Sequence, residues 1–234
     1  MEFEQAVRLA AADAGKGGIG SMREKSLHLV LKYYFAPDRE THEIPVGGYI
    51  ADVRTADGII EIQTRSLARL KPKLDVFLRE ESVTVVYPIA ANTVLCRVDE
   101  NGELLSRRKS PKHETVYSAM DEIYALRAYL YHERFHLRVV SLEMNGYILD
   151  GAKKRERRLD REPTALNQIL VLDSPADFLA LLPDLPDEFS AKQLADAVHV
   201  QVETARRYIN ILNELGCAEC CKRENHAKIW RILR

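Results

Sequence analysis

Tyr49-Ile50-Ala51-Asp52-Val53-Arg54-Thr55-Ala56-Asp57-Gly58-Ile59-Ile60-Glu61-Ile62-Gln63-Thr64 is the stretch whose reading decides the fold. Two strand-like runs, Tyr49 to Arg54 and Ile59 to Thr64, flank Ala56-Asp57-Gly58, chemistry suited to a tight hairpin. Period-two alternation places Ile50, Asp52 and Arg54 on one face of the first strand, and Ile59, Glu61 and Gln63 on one face of the second. The other faces, Tyr49, Ala51 and Val53 with Ile60 and Ile62, account for burial. Asp52 and Glu61 are symmetric about Ala56-Asp57, so a two-residue turn makes them direct neighbours. Opposed like charges destabilise a hairpin by a few tenths to ~1 kcal/mol, a cost that points to a compensating cation. Mg2+ prefers oxygen ligands from one or two carboxylates, completed by water and substrate phosphate. Such an ion polarises a phosphate and lowers the pKa of bound water.

Outward from this hairpin the pattern is mixed. Glu2 to Ala12 reads as an amphipathic helix ended by Gly15, Gly17, Gly18 and Gly20, a flexible linker rather than a phosphate loop. Ser21 caps a second, mostly apolar helix, Met22 to Phe35, with Glu24 at the capping-box position. His42 to Val46 is a strand before the hairpin. Arg65 to about Glu80 is helical, with a kink or break expected at Pro72. Val83 to Ile89 is a continuous apolar strand. Thr93 to Val98 and Leu104 to Arg108 flank a second turn at Asp99-Glu100-Asn101-Gly102. A helix from about Thr115 to Tyr131 and strands at His136 to Leu142 and Gly146 to Leu149 follow. Lys153 to Glu162, with six basic and three acidic residues and no apolar period, reads as a solvated linker, a DNA-backbone contact being the sharper alternative.

The order helix, three strands, helix, strand over residues 22 to 89 predicts an α/β fold with a mixed sheet core flanked by helices. Together with Asp52 and Glu61-Ile62-Gln63 it resembles the PD-(D/E)XK, or restriction-endonuclease-like, nuclease superfamily. That resemblance implies a domain over 1–165 in which Glu24, Asp52 and Glu61 bind Mg2+ or Mn2+ and Gln63 positions water. Two departures stand out. Ala51 replaces the proline, and Gln63 replaces the lysine; an amide orients water but supplies no positive charge. Lys71 or Lys73 on the following helix is a candidate substitute. The resemblance implies a metal-dependent phosphodiesterase acting on DNA, a hydrolase. A catalytically inactive nuclease-like DNA-binding or regulatory protein is the alternative that Gln63 permits. The plainer reading of the same residues is structural, with Glu24 a cap and Asp52 and Glu61 a polar sheet face.

From Ser174 the pattern changes to short helices at Ala176 to Leu182, Ala191 to Ala197 (capped by Ser190) and Val202 to Leu215, closed by Gly216. Two strands follow, Cys217 to Lys222 and Lys228 to Leu233. Three helices and a hairpin resemble a winged helix-turn-helix domain, assigned to 173–234. That resemblance implies that Gln201, Thr204, Arg206, Arg207 and Tyr208 touch DNA, the third helix entering the major groove. Residues 189 to 234 hold eight Lys/Arg and five Asp/Glu, a mild basic excess that fits this.

Composition sets the outer bounds. At 234 residues the chain suits two folded units, and 46% hydrophobic with 29% charged residues excludes global disorder. A formal net charge of −1 means that contact with nucleic acid rests on local patches. The acidic start, Met1-Glu2-Phe3-Glu4-Gln5, and the lack of a long apolar run lead to an expectation of a cytoplasmic protein with no membrane partner. Oligomeric state is open, a homodimer included. Cys96, Cys217, Cys220 and Cys221 lack a second pair at zinc-ligand spacing, so reduced thiols are expected. His42, His113, His132 and His136 show no pairing with a nucleophile.

Overall fold

The computed structural model describes residues 1–14, 25–151, 158–224 and 226–233. The expected glycine linker, the Ser21 cap and Glu24 lie outside the described residues. Helix α1 spans Phe3–Ala14 and α2 Ser26–Phe35, with Lys25 at its cap position. Strands β1 (His42–Val46), β2 (Tyr49–Thr55) and β3 (Gly58–Ile62) form an antiparallel meander, and the β2–β3 ladder pairs Val53 with Ile60 across a turn at Ala56-Asp57.

Pro72 sets the shape of the next helix. A 3-10 turn covers Leu67–Leu70, and α3 begins at Lys71 and runs to Phe77. Proline is tolerated there because the first-turn N–H groups of a helix have no partner to lose. Strand β4 (Val83–Val98) then runs parallel to β3. The two strands expected at 83–89 and 93–98 are one strand, with a register shift between Ala90 and Asn92. Strand β5 (Leu104–Lys109) pairs with its distal half. Helix α4 (Val116–Ile123) tightens into a 3-10 segment, Tyr124–Tyr129. Strand β6 (Phe135–Leu149) is likewise continuous across both expected strands and parallel to β4.

Strand β7 (Arg158–Val171) corrects two expectations: residues 158–162 are strand rather than linker, and a boundary at 165 falls inside it. It ends the sheet order β1-β2-β3-β4-β6-β7. Edge strands need less apolar surface, and Pro163 sits beside a register shift opposite Glu143 and Met144, where a missing N–H costs little. The sheet is therefore mixed, large and flanked by helices. Leu27 and Leu31 of α2 pack with Ile62, Val86 and Val140 on one face. Leu74 and Phe77 of α3 and Met120 and Ile123 of α4 pack with Val83, Val85 and Val139 on the other.

The last quarter holds α5 (Pro175–Leu179), β8 (Glu188–Ser190), α6 (Ala191–Val198), α7 (Val202–Glu214), β9 (Ala218–Glu224) and β10 (Ala227–Ile232), with sheet order β8-β10-β9. Ser190 caps α6 by accepting from Gln193 N, reciprocated by the Gln193 side chain, the capping-box exchange. Strand β8 had no counterpart in the sequence expectation. Ile209, Leu212 and Trp230 belong to the same continuous core as Ala51, Val85 and Met120. Among the described residues, no helix is long and apolar enough to cross a membrane.

Candidate functional site

The β2–β3 ladder stops at Val53 and Ile60, and the two carboxylates sit where the strands part. Each then satisfies a backbone N–H of the other strand. Asp52 Oδ2 accepts from Ile62 N at 2.8 Å, and Glu61 Oε1 accepts from Asp52 N at 3.2 Å. Carboxylates replacing ladder carbonyls hold the opening without orphaned donors.

Side chains from helices on opposite faces of the sheet meet this opening. His28 of α2 places Nε2 3.2 Å from Asp52 Oδ2. Lys73 of α3 places Nζ 2.8 Å from Glu61 Oε2 and 3.1 Å from Oε1, and also donates to Ile50 O at 2.7 Å. Gln63 stands at the same end of β3, its backbone N–H donating to Val86 O at 3.0 Å. No side-chain hydrogen bond engages its amide or Asp52 Oδ1 among the described residues.

Burial splits the two carboxylates. Glu61 is 1% exposed. Burial first, then the Asp52 charge, pushes its carboxyl up to about 7, against the pull of Lys73. At Asp52 burial also works upward, but the His28 hydrogen bond and charge, the Ile62 N–H and Lys73 together hold its carboxyl below the ordinary range. One group is thus a firm anion and the other a carboxyl that titrates near neutrality.

Of the expected site residues, the structure brings together Asp52, Glu61 and, at the strand end, Gln63; Glu24 lies outside the described residues. Among those described, no group of three His, Cys, Asp or Glu side chains is placed to hold a metal ion. Two carboxylates with one open oxygen still fit a hard divalent cation whose remaining ligands are water and phosphate. His28 was missed. Its signal is weak: in the helix expected from Met22 it falls four residues after Glu24, the spacing of one helix face.

The expected DNA-contacting residues are dispersed. Arg206 is exposed and pairs with Glu203 at 3.2 Å, and Gln201 is exposed at the α7 cap. Thr204 is 7% exposed and donates to Asp121 Oδ2 of α4 at 3.1 Å. Arg207 reaches Asp121 Oδ1 at 2.9 Å. Tyr208 is 1% exposed, and its hydroxyl donates to Phe178 O at 2.6 Å. The expected DNA contacts of Thr204, with base edges or phosphates, and of Tyr208, with the backbone, are therefore corrected: the helical spacing that puts 204, 207, 208 and 211 on one face turns that face toward α4 and the core. The cysteines are free thiols, Cys96 and Cys217 buried.

The family model described as "Domain of unknown function (DUF8091)" matches residues 25–173, from the start of α2 to just beyond β7. A protein of Treponema pallidum (strain Nichols), described as "Uncharacterized protein", is 32% identical over 225 residues, covering 91% of this chain and 87% of its own. No solved structure matches.

Proposed function

The chain belongs to the family of the domain of unknown function DUF8091, and we propose that it is a Mg2+- or Mn2+-dependent phosphodiesterase of the PD-(D/E)XK kind acting on DNA. The observation that carries this is Lys73 Nζ, 2.8 Å from Glu61 at the parted end of β2 and β3. It supplies the positive charge that Gln63 lacks, from the neighbouring helix rather than from the strand. The order α2, β1, β2, β3, α3, β4 supports the same reading.

In this reading Asp52 and Glu61 hold the cation, which when bound polarises the scissile phosphate and activates water. His28 orients Asp52 by holding Oδ2, leaving Oδ1 open. Lys73 stabilises negative charge as it develops, and Gln63 orients water through its amide. The succession α5, β8, α6, α7, β9, β10 supports reading the last quarter as a winged helix. We infer that this unit is used inward, as a packing partner of α4, because α7 turns Thr204 and Arg207 to Asp121 and the Tyr208 ring to Tyr117.

Calorimetry with Mn2+ and cleavage of linear, nicked and single-stranded DNA test the reading. Asp52→Asn is expected to abolish metal binding and cleavage together. Lys73→Met is expected to keep metal binding and lower turnover by roughly 10²–10³-fold, the range for removing one preorganised charge donor. Gln63→Ala lowers turnover without loss of metal. One observation favours the inactive alternative: the Lys73 ammonium already neutralises Glu61 and can itself be the compensating cation. Wild-type protein that binds no Mn2+ through Asp52 and cleaves nothing decides for that alternative.

A further inference from the structure

A cavity of about 440 Å3 is walled in part by residues that flank the carboxylate site along the chain. Lys25 heads α2 three residues before His28, and Thr64-Arg65 follow Gln63 out of β3. The chain just before α2 and just after β3, two elements that build the site, therefore also walls the cavity. Arg158 and Arg161 of β7 and Lys112 complete its cationic lining, so five cations face two carboxylates, Glu114 and Asp160.

Those carboxylates are already committed. Glu114 accepts from Ala90 N at 2.9 Å and from Lys112 Nζ at 2.6 Å. Asp160 takes the Ser26 hydroxyl and the Arg161 backbone N–H. Lys25, Arg65 and Arg158 make no ion pair among the described residues. Arg161 is held in place by donating to Thr64 O at 3.2 Å. Burial, with Arg158 and Arg65 alongside, lowers the pKa of its guanidinium against Glu114 and Tyr87, yet a guanidinium stays charged.

Like charges gathered in a concave site in excess of their counter-charge, here five cations to two carboxylates, repel, and a bound polyanion relieves that repulsion. Guanidinium forks match phosphate oxygens in geometry as well as charge. We propose that this cavity holds the phosphate backbone of the nucleic-acid strand presented to Asp52 and Glu61. The assignment rests on the phosphodiesterase reading for what lies next to it, but its own chemistry is that of a phosphate site. Strand entry beside the N-terminus of α2 then takes the place in DNA contact that α7 was expected to fill.

Binding measured without turnover tests this separately from catalysis. The full chain is titrated in EDTA against a labelled duplex and a labelled single strand by fluorescence anisotropy over a salt series. Arg65→Gln and Arg158→Gln change exposed side chains, so folding is retained. Each is expected to weaken binding roughly threefold to tenfold and to flatten the salt dependence by about one phosphate contact. Lys192→Gln on α6 is the control and is expected to bind as wild type does. Wild type that binds neither strand, or variants with unchanged affinity and slope, overturns the proposal. A mononucleotide that binds as tightly as the strand, with the same arginine dependence, assigns the cavity to free nucleotides and overturns the backbone assignment. Arginine-dependent binding by a wild type that cleaves nothing supports the cavity while removing the phosphodiesterase reading.

Discussion

Glu61 is the residue at which burial, charge and the proposed cation site meet. Its carboxyl is raised from 4.5 to about 7, so between those pH values the folded chain holds a proton that the unfolded chain has released. Stability contributed by this group is complete below about 4.5 and is lost as pH rises through 7, on the order of 3 kcal/mol. Asp52 has a lowered pKa and acts in the opposite sense, losing its contribution only as pH falls below about 3.8. Urea unfolding in EDTA across pH 4.5 to 8 is expected to show the wild type weakening and Glu61→Gln nearly flat; parallel curves refute the assignment. Metal uptake needs the carboxylate, so Mn2+ affinity is expected to rise with pH up to about 7 and then level off, with proton release detectable below that point in buffers of different ionisation heat.

At the scale of elements, the hairpin that sets the carboxylates depends on Gly58. Its φ is +121°, and a Cβ there would lie 2.3 Å from Ser82 O, where β3 begins its parallel pairing with β4. Gly58→Ala is expected to cost roughly 2–4 kcal/mol, combining left-handed strain with a backbone clash, and to lose any Mn2+ binding with it. A thermal unfolding curve and a metal titration check both parts. Docking of α7 on α4 is the second element-level feature. Tyr208→Phe removes the shorter of two hydrogen bonds to the Phe178 carbonyl, leaving the Leu181 N–H at 3.3 Å, and is expected to destabilise by about 1 kcal/mol in a urea unfolding curve. A flattened salt dependence of DNA binding in Arg206→Gln, which changes the exposed cation of α7, would mean that α7 meets DNA after all.

For the molecule as a whole, one core runs from the sheet through α4 into α7 and β10. Removing residues 174–234 strips α4 of its partner helix, leaving Tyr117 without the Tyr208 ring and Asp121 without Thr204 and Arg207. The truncated chain is expected to aggregate or unfold without a sharp transition, as followed by gel filtration and circular dichroism. A monomer with cooperative unfolding would show instead that the 25–173 family segment is self-sufficient.

The sequence by itself determined the local elements near the site. Alternation and the Ala56-Asp57-Gly58 turn located the hairpin, placed Asp52 against Glu61, and burial of Ala51, Val53 and Ile62 followed from their apolar faces. It also located α6, α7 and the last hairpin within a few residues, because caps and periodicity are short-range signals. Tertiary structure decided the rest. Strand β7 was hidden because an edge strand rich in charge, with Pro163 at a register shift, lacks apolar alternation and is stabilised by its partner β6. Whether Lys71 or Lys73 approaches Glu61 depends on where α3 starts after Pro72 and how it lies on the sheet, and His28 meets Asp52 only because α2 packs on the other face. The inward turn of Thr204 and Tyr208 was equally out of reach, since helical periodicity gives a face but not the surface it meets.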